Sequence, residues 1–282
     1  MALVESLQKA IDFMEEHLLD NITIEDIAKQ ANVSPFHFQR TFMILTDISV
    51  GEYLRRRRLT LAAQELSSTN SKIIDIAYKY GYDTPESFSK AFRKQHGVTP
   101  SDARKGNGKL QSYNRLLIQV NLRGAEPMKY KIVEQDAFQV IGIKETFACA
   151  TKDTDAVIPK LWSRANSDGT IDSLAQLNNG QIKGLLGITD NNKETENFMD
   201  YWIAAAHDGD VPDGFSSLNI SAAKWAVFEV QGPIPEAIVN TWKQIFSEWF
   251  PSNGYEYAEI PSLEVYIGSY PNPSCEIWVP IK

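Results

Sequence analysis

The chain has 282 residues, 43% hydrophobic and 23% charged, proportions that exclude a disordered or fibrous protein and are ample for buried cores. Its length exceeds the roughly 100–200 residues of one domain, so two are expected. The net charge is −8, yet residues 1–106 carry fourteen of the 28 cations and fourteen of the 36 acids, which leaves fourteen against 22 for the rest.

The excess acid therefore lies beyond residue 106. In the neutral first part, cations gather at Arg55, Arg56, Arg57 and Arg58, and again at Lys90, Arg93, Lys94, Arg104 and Lys105. Phosphates respond to such local clusters rather than to total charge. Cys149 and Cys275 are too few for a disulfide framework. Met1 to Asp20 reads acidic and amphipathic, without a signal peptide's apolar centre. No segment approaches the roughly 20 apolar residues of a membrane span. No membrane partner is expected, and a reducing cytoplasm fits.

Leu3, Leu7, Ala10, Ile11, Met14 and Leu18 predict an opening amphipathic helix. A short helix, Ile24-Glu25-Asp26-Ile27-Ala28, follows with Thr23 placed to cap it. After Asn32, Ser34 and Pro35 open another helix as cap and first-turn residue. A short helix, a tight turn and a second helix form a helix-turn-helix unit. The pattern then repeats: Ile73-Ile74-Asp75-Ile76-Ala77 matches the first helix, Gly81 matches Asn32, Thr84-Pro85 matches Ser34-Pro35, and Phe88/Phe92 match Phe38/Phe42. Between the copies, Val50 to about Ser67 predicts one helix of roughly 27 Å. That is close to the ~34 Å between successive major-groove faces on one side of DNA. Two reading helices in one chain permit a monomer without requiring one.

Tyr53-x-x-x-Arg57, Ala62, Leu66, Ile73-x-x-Ile76-Ala77, Gly81-Tyr82, Phe88-x-x-x-Phe92-Arg93-Lys94, Gly97-Val98-Thr99-Pro100-Ser101 and Arg104 together resemble the bacterial AraC/XylS transcription regulators. One departure is Tyr82, where the family usually has Phe. The resemblance implies promoter DNA as a partner, with RNA polymerase possible, and contacts at Phe36, Gln39 and Arg40. Gln can grip adenine, Arg can grip guanine, and an aromatic can lie on thymine methyls. The matching face of the second helix carries Glu86, Ser87 and Lys90; Glu86 could accept from cytosine but would also repel phosphates, and since the resemblance implies a weaker second reader, Lys90 is the first candidate. The resemblance also places Arg57 in an internal ion pair.

Lys105-Gly106-Asn107-Gly108-Lys109 reads as a linker. The expected organisation is a DNA-binding domain over 1–106, a linker with a leading strand over 107–127 and a further domain over 128–282. All six tryptophans lie beyond residue 110. Strands are predicted at Leu116–Leu122, Tyr130–Val133, Gln139–Thr146, Gly184–Thr189, Tyr201–Ala206, Trp225–Val230, Leu263–Gly268 and Glu276–Ile281. Helices are predicted at Ala156–Asn166 and Pro235–Phe250. Strand, helix, strand, strand occurs twice, with Tyr201-Trp202-Ile203 and Ile277-Trp278-Val279 in equivalent places.

This duplication, with Met128-Lys129-Tyr130-Lys131-Ile132 and Trp225-Ala226-Val227-Phe228-Glu229, resembles the GyrI-like effector-binding domain. The fold class expected is thus an all-α double helix-turn-helix domain followed by an α+β domain of two strand-helix-strand-strand halves about a pseudo-twofold. The resemblance implies a drug-like, often cationic aromatic effector bound by a glutamate among aromatics. Glu264 is the best-placed glutamate, with Tyr266 two residues on and Tyr201, Trp202, Trp225 and Trp278 as aromatic candidates. Trp242 and Trp249 lie on the apolar face of their helix and read as core. Two other readings of this domain stay open, a protein-interaction module and a Glu-dependent hydrolase of small molecules. Against an enzyme, His17, His37, His96 and His207 are scattered without metal spacing, and no nucleophile elbow or phosphate loop occurs. No catalytic residue, metal site or cofactor is expected.

Overall fold

The computed structural model describes residues 2–118, 127–148, 154–179, 182–191, 198–268 and 273–282. The chain divides into two compact units, residues 2–38 with 48–121 and residues 39–47 with 122–282.

The first unit is helical: α1 (Ala2–Glu16), α2 (Ile24–Ala31), the start of α3 (Pro35–Thr46), α4 (Val50–Ser68), α5 (Ile73–Lys79), α6 (Pro85–His96) and α7 (Pro100–Arg104). The caps account for the boundaries. Thr23 and Asp26 form a reciprocal capping box at α2, and Thr84 accepts the Ser87 N–H at α6, with Pro85 in the first turn. Asn32 and Gly81 both adopt the left-handed conformation, with φ of 54° and 83°, so the sequence repeat is also a backbone repeat. Leu59, Ala62 and Leu66 of α4 bury against Ile76, Ala77, Phe88, Phe92 and Ala103.

The arginine run is largely internal. Arg57 grips Glu15 with two bonds of 2.8 Å. Arg55 and Arg56 both pair with Glu52, and Arg58 donates to the carbonyls of Leu18 and Asp20. No strand forms over residues 107–118, so the expected strand Leu116–Leu122 is absent where it can be followed; residues 119–122 lie outside the described ones. The physical reason is competition from side chains. The Leu116 N–H donates to the Tyr53 hydroxyl, the Ile118 N–H to Gln8, and the Tyr113 carbonyl accepts from Arg57.

The second unit is built on one antiparallel sheet of β1 (Tyr130–Gln135), β2 (Phe138–Ala148), β3 (Leu185–Asn191), β4 (Phe198–Ala206), β5 (Ser216–Ile220), β6 (Ala223–Val230), β7 (Ser262–Ile267) and β8 (Ser274–Ile281). Across the sheet the order is β1-β6-β8-β7-β3-β4-β2-β5. That order is symmetric about the β3–β7 seam. One half runs β2, α8 (Thr154–Ser167), α9 (Thr170–Leu177), β3, β4; the other runs β6, α10 (Glu236–Gln244), β7, β8. The expected duplication is therefore the architecture itself. Strand β5 and helix α9 escaped the sequence reading, because Ser216-Ser217-Leu218-Asn219 is polar and α9 is only two turns long. The long helix expected over Pro235–Phe250 passes through a π-helical turn, Ile245–Trp249, before α11 (Phe250–Ser252).

One sheet face buries Val140, Leu186, Ile188, Trp202, Ala204, Trp225, Val227, Leu263, Val265 and Trp278 in a single apolar cluster. The opposite face carries Glu264 and Tyr266.

Candidate effector and DNA sites

Side chains alternate along a strand. On β7, Leu263 and Val265 turn into the apolar cluster, which sends Glu264 and Tyr266 to the other face. There the Glu264 carboxylate is surrounded by donors. Tyr266 Oη donates to Oε2 at 2.9 Å, Tyr201 Oη to the same oxygen at 3.4 Å, and Trp242 Nε1 from α10 to Oε1 at 3.0 Å. Trp162 Nε1 from α8 donates in turn to the Tyr201 hydroxyl at 3.0 Å. The Trp162 and Tyr266 rings meet edge to face, 4.9 Å between centres. Burial, reinforced by the Glu264 charge, pushes both tyrosine hydroxyls well above their ordinary pKa. They stay protonated and act as donors.

Opposite Glu264 in the register of the seam stands Gly187. A Cβ there would lie 3.2 Å from Glu264 Oε2 and would overlap the Tyr201 hydroxyl. The bare backbone is what lets the carboxylate and the phenol meet. A carboxylate set in this way among aromatic side chains can attract a cation by its charge.

Of the expected effector residues, Glu264, Tyr201 and Tyr266 come together. Trp202, Trp225 and Trp278 do not: all three lie in the apolar cluster on the opposite face. Trp202 follows Tyr201 by one residue, so it must face the other way, and Trp225 and Trp278 meet each other there, 6.1 Å between centres. The sequence reading missed Trp162 altogether and placed Trp242 in the core. Trp242 is indeed buried, but its indole N–H points at Glu264. No signal in the sequence separated it from Trp249 on the same helical run, which is also buried but whose indole N–H has no acceptor among the described residues.

Among the DNA candidates, Glu86, Ser87 and Lys90 are exposed on α6. Ser87 is partly engaged, because its hydroxyl donates to the Thr84 carbonyl. Phe36 on α3 is half-buried, whereas Gln39 and Arg40 are buried. Both belong to the second unit. Arg40 donates to Ser262 Oγ and, at 3.4 Å, to Tyr257 Oη, and its guanidinium lies 4.4 Å from the centre of the Trp242 ring. Among the described residues there is no cluster of His, Cys, Asp and Glu able to hold a metal, and no helix long and apolar enough to cross a membrane.

Residues 131–281 match the family described as integron-associated effector binding protein, and residues 27–106 match a helix-turn-helix domain. The HTH-type transcriptional activator AarP of Providencia stuartii is 37% identical over 112 residues, covering 40% of this chain and 81% of that protein. The regulatory protein SoxS of Escherichia coli K12 is 41% identical over 98 residues, covering 35% of this chain and 92% of SoxS. The structure of SAV2435 bound to tetraphenylphosphonium superposes with a TM-score of 0.50 at 25% identity, covering 55% of this chain and 94% of that one.

Proposed function

Because the chain belongs to the AraC/XylS-type helix-turn-helix transcription regulators and, over residues 131–281, to the integron-associated effector-binding proteins, we propose that it reads promoter DNA and senses a lipophilic aromatic cation at Glu264. The observation that carries this reading is the Glu264 carboxylate among Tyr201, Tyr266, Trp162 and Trp242. A single negative charge held between aromatic rings suits a delocalised monocation. Tetraphenylphosphonium, the ligand of the SAV2435 structure, is such an ion.

Lys90, Glu86 and Ser87 on α6 and Phe36, Gln39 and Arg40 on α3 are the proposed DNA readers. For Arg40 this requires an exchange, since a phosphate or guanine must replace Ser262 and the Trp242 ring. RNA polymerase is a proposed partner of the DNA-bound form, and the cytoplasm its place of action. We favour a receptor over a hydrolase: the carboxylate that would serve as general base is already held by three donors.

The test is calorimetric titration of the full chain with tetraphenylphosphonium, for wild type and Glu264→Gln. Saturable binding that weakens about tenfold, or 1.4 kcal/mol, in the variant is expected. Equal affinity in the two proteins would remove Glu264 from the site.

A further inference from the structure

The donors around Glu264 narrow the ligand further than its charge does. A carboxylate offers about four acceptor positions. On Glu264, Oε1 takes the Trp242 N–H and Oε2 takes the hydroxyls of Tyr266 and Tyr201, three donors from three different elements. Tyr201 is aimed by the Trp162 N–H, which occupies its oxygen and leaves its proton for Glu264. Both positions on Oε2 are thereby filled, and one position is left, on Oε1. Most of the hydrogen-bonding capacity of the carboxylate is thus used up.

We infer that this site selects cations carrying no N–H donor, so that quaternary onium ions bind in preference to protonated amines of the same shape, with Tyr266 and Trp242 as the residues that set the preference. The inference rests on the reading of Glu264 as the effector site. A quaternary ion needs only the field of the carboxylate and the faces of the rings, and it surrenders little hydration on entry. A primary ammonium brings three donors that must leave water. Glu264 can take one of them at the open position on Oε1; to satisfy a second there it must displace a tyrosine or indole donor, which is then stranded in a buried setting. The protonated state of both phenols, maintained by burial and by the Glu264 charge, keeps them as competitors throughout the neutral range.

The test compares two probes on the full chain by calorimetry, 2-naphthylmethyl-trimethylammonium and 2-naphthylmethylammonium, with tetraphenylphosphonium as reference. In wild type the quaternary probe should bind at least about tenfold tighter. General differences in hydration would give a preference too, so the decisive measurement is the ratio in Tyr266→Phe. Removing that hydroxyl frees a position on Oε2, and the ratio should fall several-fold through tighter binding of the primary amine. Trp242→Phe frees a position on Oε1 and serves as the second variant if Tyr266→Phe does not fold. Equal affinity for the two probes in wild type, or a ratio that neither variant changes, overturns the inference while tetraphenylphosphonium binding leaves the site itself standing. Absence of binding by all three compounds removes the site and the inference together.

Discussion

Gly187 and Glu264 stand opposite each other across the seam that joins the two halves of the sheet. The protein has placed a carboxylate on one and no side chain on the other. The site is therefore asymmetric within a symmetric frame, with one charge and the space beside it.

Gly187→Ala fills that space. The new methyl overlaps the Tyr201 hydroxyl and presses on Glu264, so Tyr201 must leave the carboxylate. The expected outcome is a loss of about 1–3 kcal/mol in stability from overpacking, measured by urea unfolding followed by tryptophan fluorescence. Tetraphenylphosphonium affinity should fall as well. A variant of unchanged stability and affinity would show that the sheet yields at this point.

The Arg57–Glu15 pair should dominate the acid response of the first unit. Burial alone would raise the Glu15 carboxyl, but the hydrogen bonds from Arg57 and Tyr53 outweigh it and hold its pKa below the ordinary value of 4.5. A depressed carboxyl contributes stability that is present above its unfolded pKa and lost as pH falls through the folded one. Arg57→Ala, which strands a largely buried carboxylate, should cost about 3 kcal/mol at neutral pH and much less near pH 3. Hydrogen exchange of α1 and α4 peptides at the two pH values checks this.

His96 should give a second response at milder acidity. Burial holds its pKa below 6.5, against the opposing pull of its backbone partners. The Gln111 N–H donates to Nδ1 and the other ring nitrogen faces the Leu59 carbonyl, which assigns the proton to Nε2. The folded state prefers the neutral ring, so its contribution is complete above about pH 6.5 and declines as pH falls through the depressed value. Protection of α6 amides should fall between pH 7 and 5 in wild type, and the step should be smaller in His96→Gln.

On the DNA side, Lys90→Ala should weaken binding to a labelled promoter duplex and reduce the slope of log affinity against log salt by about 0.9, the effect of one lost phosphate contact. Glu86→Gln should strengthen binding and leave that slope higher. Fluorescence anisotropy over a salt series measures both. Unchanged slopes would take the α6 face off the DNA.

What the sequence determined by itself is whatever depends on near neighbours in the chain. Caps, left-handed turn residues and apolar periodicity are local, so the repeated helix-turn-helix and the two strand-helix-strand-strand halves were legible, as was the shared strand face of Glu264 and Tyr266. The linker strand was misread for the same reason, since an extended apolar run says nothing about which side chains will capture its backbone. Only the tertiary structure decided which sheet face receives the helices. That choice separates Tyr201 from Trp202, brings Trp162 and Trp242 to Glu264 from opposite halves, and sets a glycine against the carboxylate. Alternation divides a strand's residues between two faces, but the packing of distant elements determines which face becomes the site.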